Sequence, residues 1–397
     1  MYKTEAVYII AAHRTPIGKL YGALSGIRPD NLISGLIADV LSKYDYLDKA
    51  ELDAIFLGCG NQAGDDNRNI ARMAGLLNGL PHYIFASTVN SLCTSGMDAF
   101  MQAARLIMCG EAEFCLAGGV ESMSRSPMVE SRIDGTKADS TVGWRFVNPK
   151  ISDFIPIHSM PETAEFLSKK YNIGREEQDI YAFESRNRYE NARVSGFFDF
   201  EIMAIDCPEG VLKKDEQHRL LSIEMMSQLP SLARGGEFVT LGNSARLGDG
   251  AAVLALASDA YIKRHNIKPL ARVHSMAISG DHPDLMGISG ANALKKTIEK
   301  SGIKKESIGH FELSEAFAVQ LLASIEEADL NPFLVNPMGG AISMGNPLGM
   351  GAARLLVTLV NNLIKCPEIA YGAAASGAGL GIGTAVIFEN LGKRSSY

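Results

Sequence analysis

Apolar and polar positions along this chain follow strand-like and helix-like spacings in turn. Apolar runs that predict buried strands lie at 6–12, 54–60 and 112–119, and again at 271–279, 310–314 and 368–375. Apolar residues at helical spacing predict helices over 30–43 and 97–109, and near 291–301, 316–327 and 350–364. Strands that alternate with helices in this way predict an α/β fold.

One pattern occurs in both halves of the chain. VNSLCTSG begins at 89 and VNPMGGAISMGNPLGMGAARLL at 335, so that each half has VN, a glycine-bearing loop and a helix. This repetition indicates an internal duplication. Residues 120–248 are richer in charge, Ser, Met and Pro and lack strand alternation, which predicts a long insertion that serves as a lid or holds substrate. The predicted division is 1–119 with 249–270, then the insertion 120–248, then 271–397.

Composition narrows the class of protein. The 397 residues include 38 basic and 45 acidic side chains, a net charge of −7, and no basic run that would follow a nucleic-acid backbone. No apolar stretch reaches the roughly 20 residues of a membrane helix, and the first residues lack a signal-peptide layout, so we expect a cytoplasmic protein. Six cysteines without CxxC spacing predict neither a zinc site nor a disulfide framework.

Cys93 is the strongest candidate for chemistry. The β-favouring run 85–89 ends in polar residues, and helix formers follow from Met97, which places Cys93 near a helix N-terminus. Free N–H groups and the helix dipole stabilise a thiolate there, so we expect a pKa below the usual value of about 8.5. The alternative is a buried apolar cysteine with no reaction to perform.

Seven segments of the chain carry distinctive motifs: AAHRTPIGKLYGALSG (11–26), VNSLCTSGMDAFMQAARLI (89–107), AGGVESMSRSP (117–127), GNSARLGDGAA (242–252), SEAFAVQ (314–320), GGAISMGNPLGMGAARL (339–355) and SGAGLGIG (376–383). In their order and spacing they resemble the motifs of the thiolase family of acyl-CoA acyltransferases over almost the whole length. GDDNRNIARMAG (64–75) and TVGWRFVNP (141–149) are most similar to β-ketoadipyl-CoA thiolases within that family. The resemblance implies two duplicated βαβαβαββ halves in five αβαβα layers, with an inserted loop domain that holds CoA.

The resemblance implies a nucleophile at Cys93 and an oxyanion hole made by the N–H groups of Cys93 and Gly377. Three other family positions differ in this sequence. Asn346 stands where the family has the histidine of a GHP motif, Ala375 where it has a second cysteine, and Ser314 where it has the asparagine of NEAF. In the family, that histidine deprotonates the nucleophilic cysteine, and the second cysteine moves the α-proton of acetyl-CoA. An amide accepts no proton near neutral pH and a methyl group does no acid-base work, so both proton-transfer steps lack their usual agent.

Two interpretations of Asn346 remain open. Its NH₂ group can donate to a thioester carbonyl or a developing oxyanion, or it is the result of drift after a loss of activity. Two histidines are candidates for a replacement base, His158 just before SMPETAE and His282 four residues before Met286. Either could equally be a loop histidine without a catalytic role.

The resemblance also implies a coenzyme A thioester as the substrate, with no bound cofactor and no metal. Met160, Ala316 and Phe317 match positions along the pantetheine tunnel, and Met286 matches a methionine of the acyl pocket. The serine expected to bind pantetheine falls on Ala245, with Ser244 beside it as a possible substitute. A homodimer or homotetramer is implied, with a partner subunit as a further possibility, and an acyl-carrier thioester is the alternative to acyl-CoA as the substrate.

Three hypotheses about function follow from the sequence. The first is an acyltransferase that forms an acyl-S-Cys93 intermediate and passes the group to an acceptor by non-standard chemistry. The second is a conventional acetyl-CoA C-acyltransferase (β-ketothiolase) with a relocated base. The third is a non-catalytic thiolase-fold scaffold or acyl-CoA-binding subunit.

Overall fold

The computed structural model describes residues 4–62, 64–139 and 141–392. Strands and helices alternate in both halves, as the apolar pattern predicts. The strands are β1 (Val7–Arg14), β2 (Gly18–Lys19), β3 (Ala54–Gly58), β4 (Phe85–Val89), β5 (Phe114–Ser122), β6 (Met128–Glu130), β7 (Lys137–Asp139), β8 (Ile205–Cys207), β9 (Gly210–Leu212), β10 (Gly248–Ser258), β11 (Ala271–Gly280), β12 (Ile308–Leu313), β13 (Tyr371–Ala378) and β14 (Ile382–Asn390).

The helices have the lengths that burial of one face requires, and short 3₁₀ turns precede several of them. They are α1 (Pro29–Lys43), α2 (Ile70–Leu77), α3 (Ser95–Met108), α4 (Met160–Tyr171), α5 (Arg175–Val194), α6 (Ile223–Ser227), α7 (Asp259–Arg264), α8 (Met286–Ser301), α9 (Ala318–Glu327), α10 (Ala341–Met344) and α11 (Leu348–Lys365). The helix predicted near 291–301 begins earlier, so Met286 is its first residue.

The sheet repeats one topology twice. The first half has the order β4-β3-β5-β10-β1 and the second has β12-β13-β14-β11, and β1 pairs with β11 to join them. In each half a parallel pair (β3 with β5, β12 with β13) is followed by two antiparallel pairs. A single parallel bridge between Phe311 and Val335 stands where the first half has β4. The predicted duplication is therefore confirmed.

Five layers follow from how these elements pack. Helices α3 and α11 contact each other and strands of both halves, and their apolar faces form the largest buried cluster. Helices α1 and α2 cover the outer face of the first half, while α8 and α9 cover the second. The predicted αβαβα arrangement is confirmed, with α3 and α11 as the central layer.

Backbone contacts through glycines hold this central layer close to β3 and β5. A β-carbon added to Gly96 of α3 would lie 2.6 Å from the carbonyl oxygen of Gly349 at the start of α11. One added to Gly119 of β5 would overlap the same oxygen, and one added to Gly58 of β3 would overlap the backbone of α3. Only glycine permits this approach, which brings the first turns of α3 and α11 together.

The insertion contains more regular structure than the sequence pattern predicts. It holds helices α4, α5 and α6 and two hairpins, β6 with β7 and β8 with β9, whose three-residue strands are too short to show alternation. A buried ion-pair network joins it to β1, where Arg14 donates to Glu201 Oε1 at 2.6 Å and to Asp215 Oδ1 at 2.7 Å. All three side chains are fully buried. The boundaries at 119 and 249 stay a prediction.

Strand β4 ends the sheet on one side, and Phe85 on it is exposed. An edge strand with exposed apolar side chains can pair with another chain. The predicted homodimer or homotetramer stays a prediction.

Replacement of Gly119 by alanine tests the close approach of α11. We expect Gly119→Ala to lower the free energy of unfolding by about 1–3 kcal/mol or more, because the added methyl group overpacks a backbone contact. Gly35→Ala is the control: it lies on the exposed face of α1 with open space around its β-carbon. The Gly35→Ala change should raise the free energy of unfolding by about 0.5–1 kcal/mol. Urea unfolding measures both, and equal effects would contradict the proposed constraint.

Candidate active site

A strained turn places Cys93 at the entrance to α3. After β4, Leu92 adopts a left-handed conformation with φ of 57°, and a 3₁₀ turn over Leu92–Thr94 leads into the helix. Asn90 Oδ1 accepts from Leu92 N at 3.1 Å, and Ser95 Oγ donates to Leu92 O at 2.5 Å. Such a conformation costs about 1–3 kcal/mol in a non-glycine residue and persists only where neighbours enforce it. The predicted position of Cys93 near a helix N-terminus is confirmed.

Asn346 occupies the corresponding position before α11. Gly345, with φ of 106°, turns the chain after α10, and the Asn346 N–H donates to Arg246 O at 2.8 Å. No hydrogen bond of the Asn346 side chain occurs among the described residues. The internal duplication therefore places Cys93 and Asn346 before the two helices that meet in the central layer.

Two connected cavities meet at Cys93. The outer cleft has a volume of about 410 Å³ and the inner cavity about 30 Å³. The residues that line both are Cys93, Met160, Met286, Ala316 and Asn346. The inner volume suffices for a single water molecule, whereas the outer one is large enough for part of an organic ligand.

Most residues predicted to hold CoA or the acyl group line these cavities. Phe317 and Ala245 line the outer cleft, together with the residues shared by both cavities. Ser244 does not: its hydroxyl is buried behind the wall, outside the lining of either cavity, and has no partner among the described residues. The geometry thus gives no support to Ser244 as a substitute for the expected pantetheine-binding serine.

The pKa of the Cys93 thiol is raised, whereas the sequence led us to expect a lowered one. Burial raises its pKa to about 11, against the hydrogen bonds from the N–H groups of Gly379 and of Cys93 itself, and the charge of Glu121 adds to the rise. The loss of hydration outweighs the favourable position at the helix N-terminus. The prediction of an activated thiolate is wrong for this state, and Cys93 needs a proton acceptor to react.

Gly377 and Ser314 line the inner cavity and are hydrogen-bonded to each other. The Gly377 N–H donates to Ser314 Oγ at 3.1 Å, and the same oxygen accepts from Gln320 Nε2 at 3.2 Å. The N–H expected to complete the oxyanion hole with that of Cys93 is therefore engaged by Ser314. The N–H that reaches the sulfur comes from Gly379, two residues later, which the sequence did not single out.

A carboxylate and a guanidinium border the inner cavity as well. Glu315 is buried and accepts from Tyr181, from Ser185 Oγ at 3.1 Å and from the Ile342 N–H at 2.9 Å. Burial raises the pKa of Glu315 against these hydrogen bonds. Arg354 lies on the same wall and donates to Glu312 at 3.3 Å. These hydrogen bonds give the buried polar groups of the cavity wall their partners.

The two candidate histidines differ in position. His158 lines the outer cleft, and its Nδ1 lies 2.9 Å from Asp284 Oδ1. Because a carboxylate only accepts, Nδ1 carries a proton, and in the neutral form of the ring Nε2 is the nitrogen that can accept one. His282 lies on the other side of Asp284, with its Nδ1 3.8 Å from Oδ2, is half exposed and lines neither cavity.

Sequence reasoning missed several residues of the outer cleft. Asp284 carried no signal of its own, since its partner His158 is 126 residues away. Trp144 and Arg145 stand in the motif TVGWRFVNP but received no role. Trp144 Nε1 donates to His158 O at 3.1 Å, and Arg145 Nη2 donates to Asn61 Oδ1. The single tryptophan beside an arginine was the signal that could have drawn attention to this wall.

Within the described ranges, no group of three or more His, Cys, Asp and Glu side chains is arranged to hold a metal ion. The helices found there also include none that is long and apolar enough to cross a membrane.

Alkylation of Cys93 measures the effect of burial on its thiol. With a pKa near 11, we expect the rate of labelling by iodoacetamide to rise about tenfold per pH unit from pH 8 to pH 10, because only the thiolate reacts. Peptide mass mapping follows the site, Cys93→Ala confirms its assignment, and the exposed Cys109 serves as an internal reference. A plateau in the Cys93 rate below pH 8 would contradict the raised pKa.

Comparison with known proteins places the chain in a family. The model described as "Thiolase, N-terminal domain" matches residues 7–260, and that described as "Thiolase, C-terminal domain" matches residues 267–390. The β-ketoadipyl-CoA thiolase of Pseudomonas aeruginosa is 40% identical over 401 residues, which cover 98% of this chain and 100% of that protein. The 3-oxoadipyl-CoA/3-oxo-5,6-dehydrosuberyl-CoA thiolase of Escherichia coli is 38% identical over 97% of this chain and 99% of its own length.

Solved structures agree with the sequence relatives. The acetyl-CoA acetyltransferase of Bacillus anthracis superposes with a TM-score of 0.90 at 35% identity, over 98% of this chain and 100% of that one. Human mitochondrial 3-ketoacyl-CoA thiolase, in complex with CoA, has a TM-score of 0.90 at 32% identity, over 98% and 99% of the two chains. With its fold, its two cavities and these relatives, the chain belongs to the thiolase family and is an acyltransferase of the thiolase type.

Proposed function

We propose that Cys93 takes an acyl group from a coenzyme A thioester and passes it to an acceptor. The cysteine sulfur attacks the thioester carbonyl carbon, the bond from that carbon to the CoA sulfur breaks, and the CoA thiolate takes up the proton that Cys93 loses. The observation that carries the proposal is the place of Cys93 at the junction of the two cavities, with the N–H groups of Gly379 and Cys93 directed at its sulfur.

Asn346 has a role in this proposal as a hydrogen-bond donor. Its amide lines both cavities beside Cys93, so its NH₂ group can donate to the oxyanion that forms during attack. It cannot act as a base. Ala375, at the family position of the second cysteine, lies in the apolar core of the second half and lines neither cavity. The α-proton of a second acyl-CoA therefore has no acceptor at that position, which favours altered chemistry after acylation.

The relatives suggest the acyl group. Their names include β-ketoadipyl-CoA and 3-oxoadipyl-CoA, whose acyl chains end in a carboxylate. Cleavage of such a chain beside its keto group leaves a succinyl group on the nucleophile. We propose the same class of acyl group for this chain, with CoA as its carrier.

Intact-mass spectrometry tests acylation directly. Incubation with succinyl-CoA or butyryl-CoA should add one acyl mass to the protein, and the adduct should be missing in Cys93→Ala. In Asn346→Ala the adduct should form about 10²- to 10³-fold more slowly, the usual cost of one oxyanion donor. No adduct from a broad panel of thioesters would overturn the proposal, and CoA binding without acylation would favour the non-catalytic scaffold instead.

A specific observation favours a second candidate, a conventional β-ketothiolase with a relocated base. His158 lines the cleft that contains Cys93, and Asp284 orients its ring as the carboxylate of a catalytic triad orients a histidine. Its Nε2 can accept a proton from Cys93 or from a substrate carbon, directly or through water. Because its pKa is raised, Cys93 keeps its proton near neutral pH. Such a base would remove that proton.

A pair of histidine variants tests the relocated base. We expect His158→Gln to lower the rate of acetoacetyl-CoA thiolysis by about 10²- to 10⁴-fold, because it removes the proton acceptor. His282→Gln is the matched control, since His282 also lies beside Asp284 but outside both cavities. Equal rates in the two variants would exclude His158 as the base. An unmeasurable rate in the unmodified protein would exclude the conventional thiolase and leave acylation of Cys93 standing.

A further inference from the structure

Polar side chains with unused hydrogen-bonding capacity line the inner cavity beside Cys93. Asn346 lines it and makes no side-chain hydrogen bond among the described residues. Ser376 lines it too, is 2% exposed, and its hydroxyl has no partner in the part of the chain that the structure describes. Because a buried hydroxyl without a partner costs free energy, this wall favours a polar molecule in the cavity.

Ser314 adds a hydrogen-bond donor to this wall. Its Oγ accepts from the Gly377 N–H at 3.1 Å and from Gln320 Nε2 at 3.2 Å. Gln320 Oε1 accepts from the Ala316 N–H at 2.9 Å, which fixes Nε2 as the atom that faces Ser314. A serine hydroxyl has two lone pairs and one hydrogen, so these two contacts use both lone pairs. The hydroxyl hydrogen has no acceptor among the described residues and is available to an oxygen atom in the cavity.

The size of the inner cavity selects the molecule that these groups can hold. Its volume of about 30 Å³ suffices for one water, and a buried water typically makes about three hydrogen bonds. The amide of Asn346 and the hydroxyl groups of Ser314 and Ser376 can supply them. The charged groups on the same wall, Glu315 and Arg354, already have protein partners. An alcohol, an organic amine or a second acyl-CoA is too large for this space and would have to approach through the outer cleft.

We propose that water is the acyl acceptor of this site, so that the protein hydrolyses acyl-CoA thioesters through the acyl-S-Cys93 intermediate. This inference rests on the proposed function, which supplies that intermediate. A water in the inner cavity accepts from the Ser314 hydroxyl and donates to Asn346 Oδ1 and Ser376 Oγ, which leaves one lone pair on its oxygen for the thioester carbonyl carbon.

The water oxygen bonds to that carbon, the bond from the carbon to Cys93 Sγ breaks, and the sulfur takes up the proton that the water loses. The products are the free carboxylic acid and the Cys93 thiol. Attack by water requires no removal of an α-proton, the step for which Ala375 offers no acceptor. Hydrolysis therefore uses the groups that the site retains.

Turnover in water enriched in oxygen-18 tests whether water is the acceptor. The protein is incubated with a panel of thioesters that includes succinyl-CoA and butyryl-CoA, without any other acceptor, and the released acid is analysed by mass spectrometry. We expect more than one equivalent of CoA per protein molecule, and one oxygen-18 atom in the newly formed carboxyl group of each acid. Cys93→Ala should give only the background hydrolysis that occurs without protein.

Decay of the acyl adduct, followed by intact mass after excess thioester is removed, tests the place of the water. Ser376→Ala should slow the decay about 2- to 10-fold, the range of one hydrogen bond, and it breaks no hydrogen bond among the described residues. Ser314→Ala should slow it at least as much, and formation of the adduct shows that each variant is folded. Ser343→Ala is the matched control, because it removes a buried hydroxyl that has no partner among the described residues and lines neither cavity. Its adduct should decay at the rate of the unmodified protein.

An adduct on Cys93 that persists without release of labelled acid would overturn this inference and leave the proposed function standing. Labelled acid that forms equally fast in Cys93→Ala, or equal decay in Ser376→Ala and Ser343→Ala, would also overturn it. Failure of the proposed function has a different signature: neither an adduct on Cys93 nor labelled acid above the background, from any thioester of the panel.

Discussion

The site depends on a close contact between backbones in the central layer of the fold. Gly96 of α3, Gly119 of β5 and Gly349 of α11 approach so closely that a single methyl group on any of them would meet backbone atoms of a neighbour. This contact brings the first turns of α3 and α11 together. Cys93 and Asn346 stand immediately before those turns, so the distance between the helices also sets the geometry between nucleophile and amide. The glycines act on the chemistry through packing, and they touch no substrate.

The packing that sets this geometry also buries part of the Cys93 side chain. The same packing that positions the half-buried sulfur removes part of its hydration, and its pKa is raised even though two N–H groups are directed at it. A neutral thiol at the junction of two cavities is stable and unreactive until a base or a bound substrate takes its proton. His158, held by Asp284 in the same cleft, stands where such a base could act, while the family's own position for it is the amide of Asn346.

The outer cleft is assembled from segments that are far apart along the chain. One wall comes from residues 141–163 of the insertion, another from Pro283, Asp284 and Met286 before and at the start of α8, and a third from the turns around Asn61 and Cys93. The buried network of Arg14 with Glu201 and Asp215 fixes the insertion to β1. Trp144, bonded to the backbone of His158, fixes the two parts of the insertion to each other.

The sequence by itself determined the α/β class, the duplication and the place of Cys93 at a helix N-terminus, because apolar periodicity and glycine-bearing turns are local properties of the chain. Through the family resemblance, the sequence also predicted that four further residues belong to the site of Cys93: Asn346, Met160, Met286 and Ala316. All four line both cavities together with Cys93. Only the tertiary structure decided the pKa of Cys93. It also decided three hydrogen bonds, between Gly377 and Ser314, between His158 and Asp284, and between Arg145 and Asn61. Each of these depends on burial or on partners 63 to 126 residues apart, from Gly377 with Ser314 to His158 with Asp284, and no local pattern records them. Hydration and electrostatics at a buried site are set by all the segments that enclose it, so they exist only once the chain has folded.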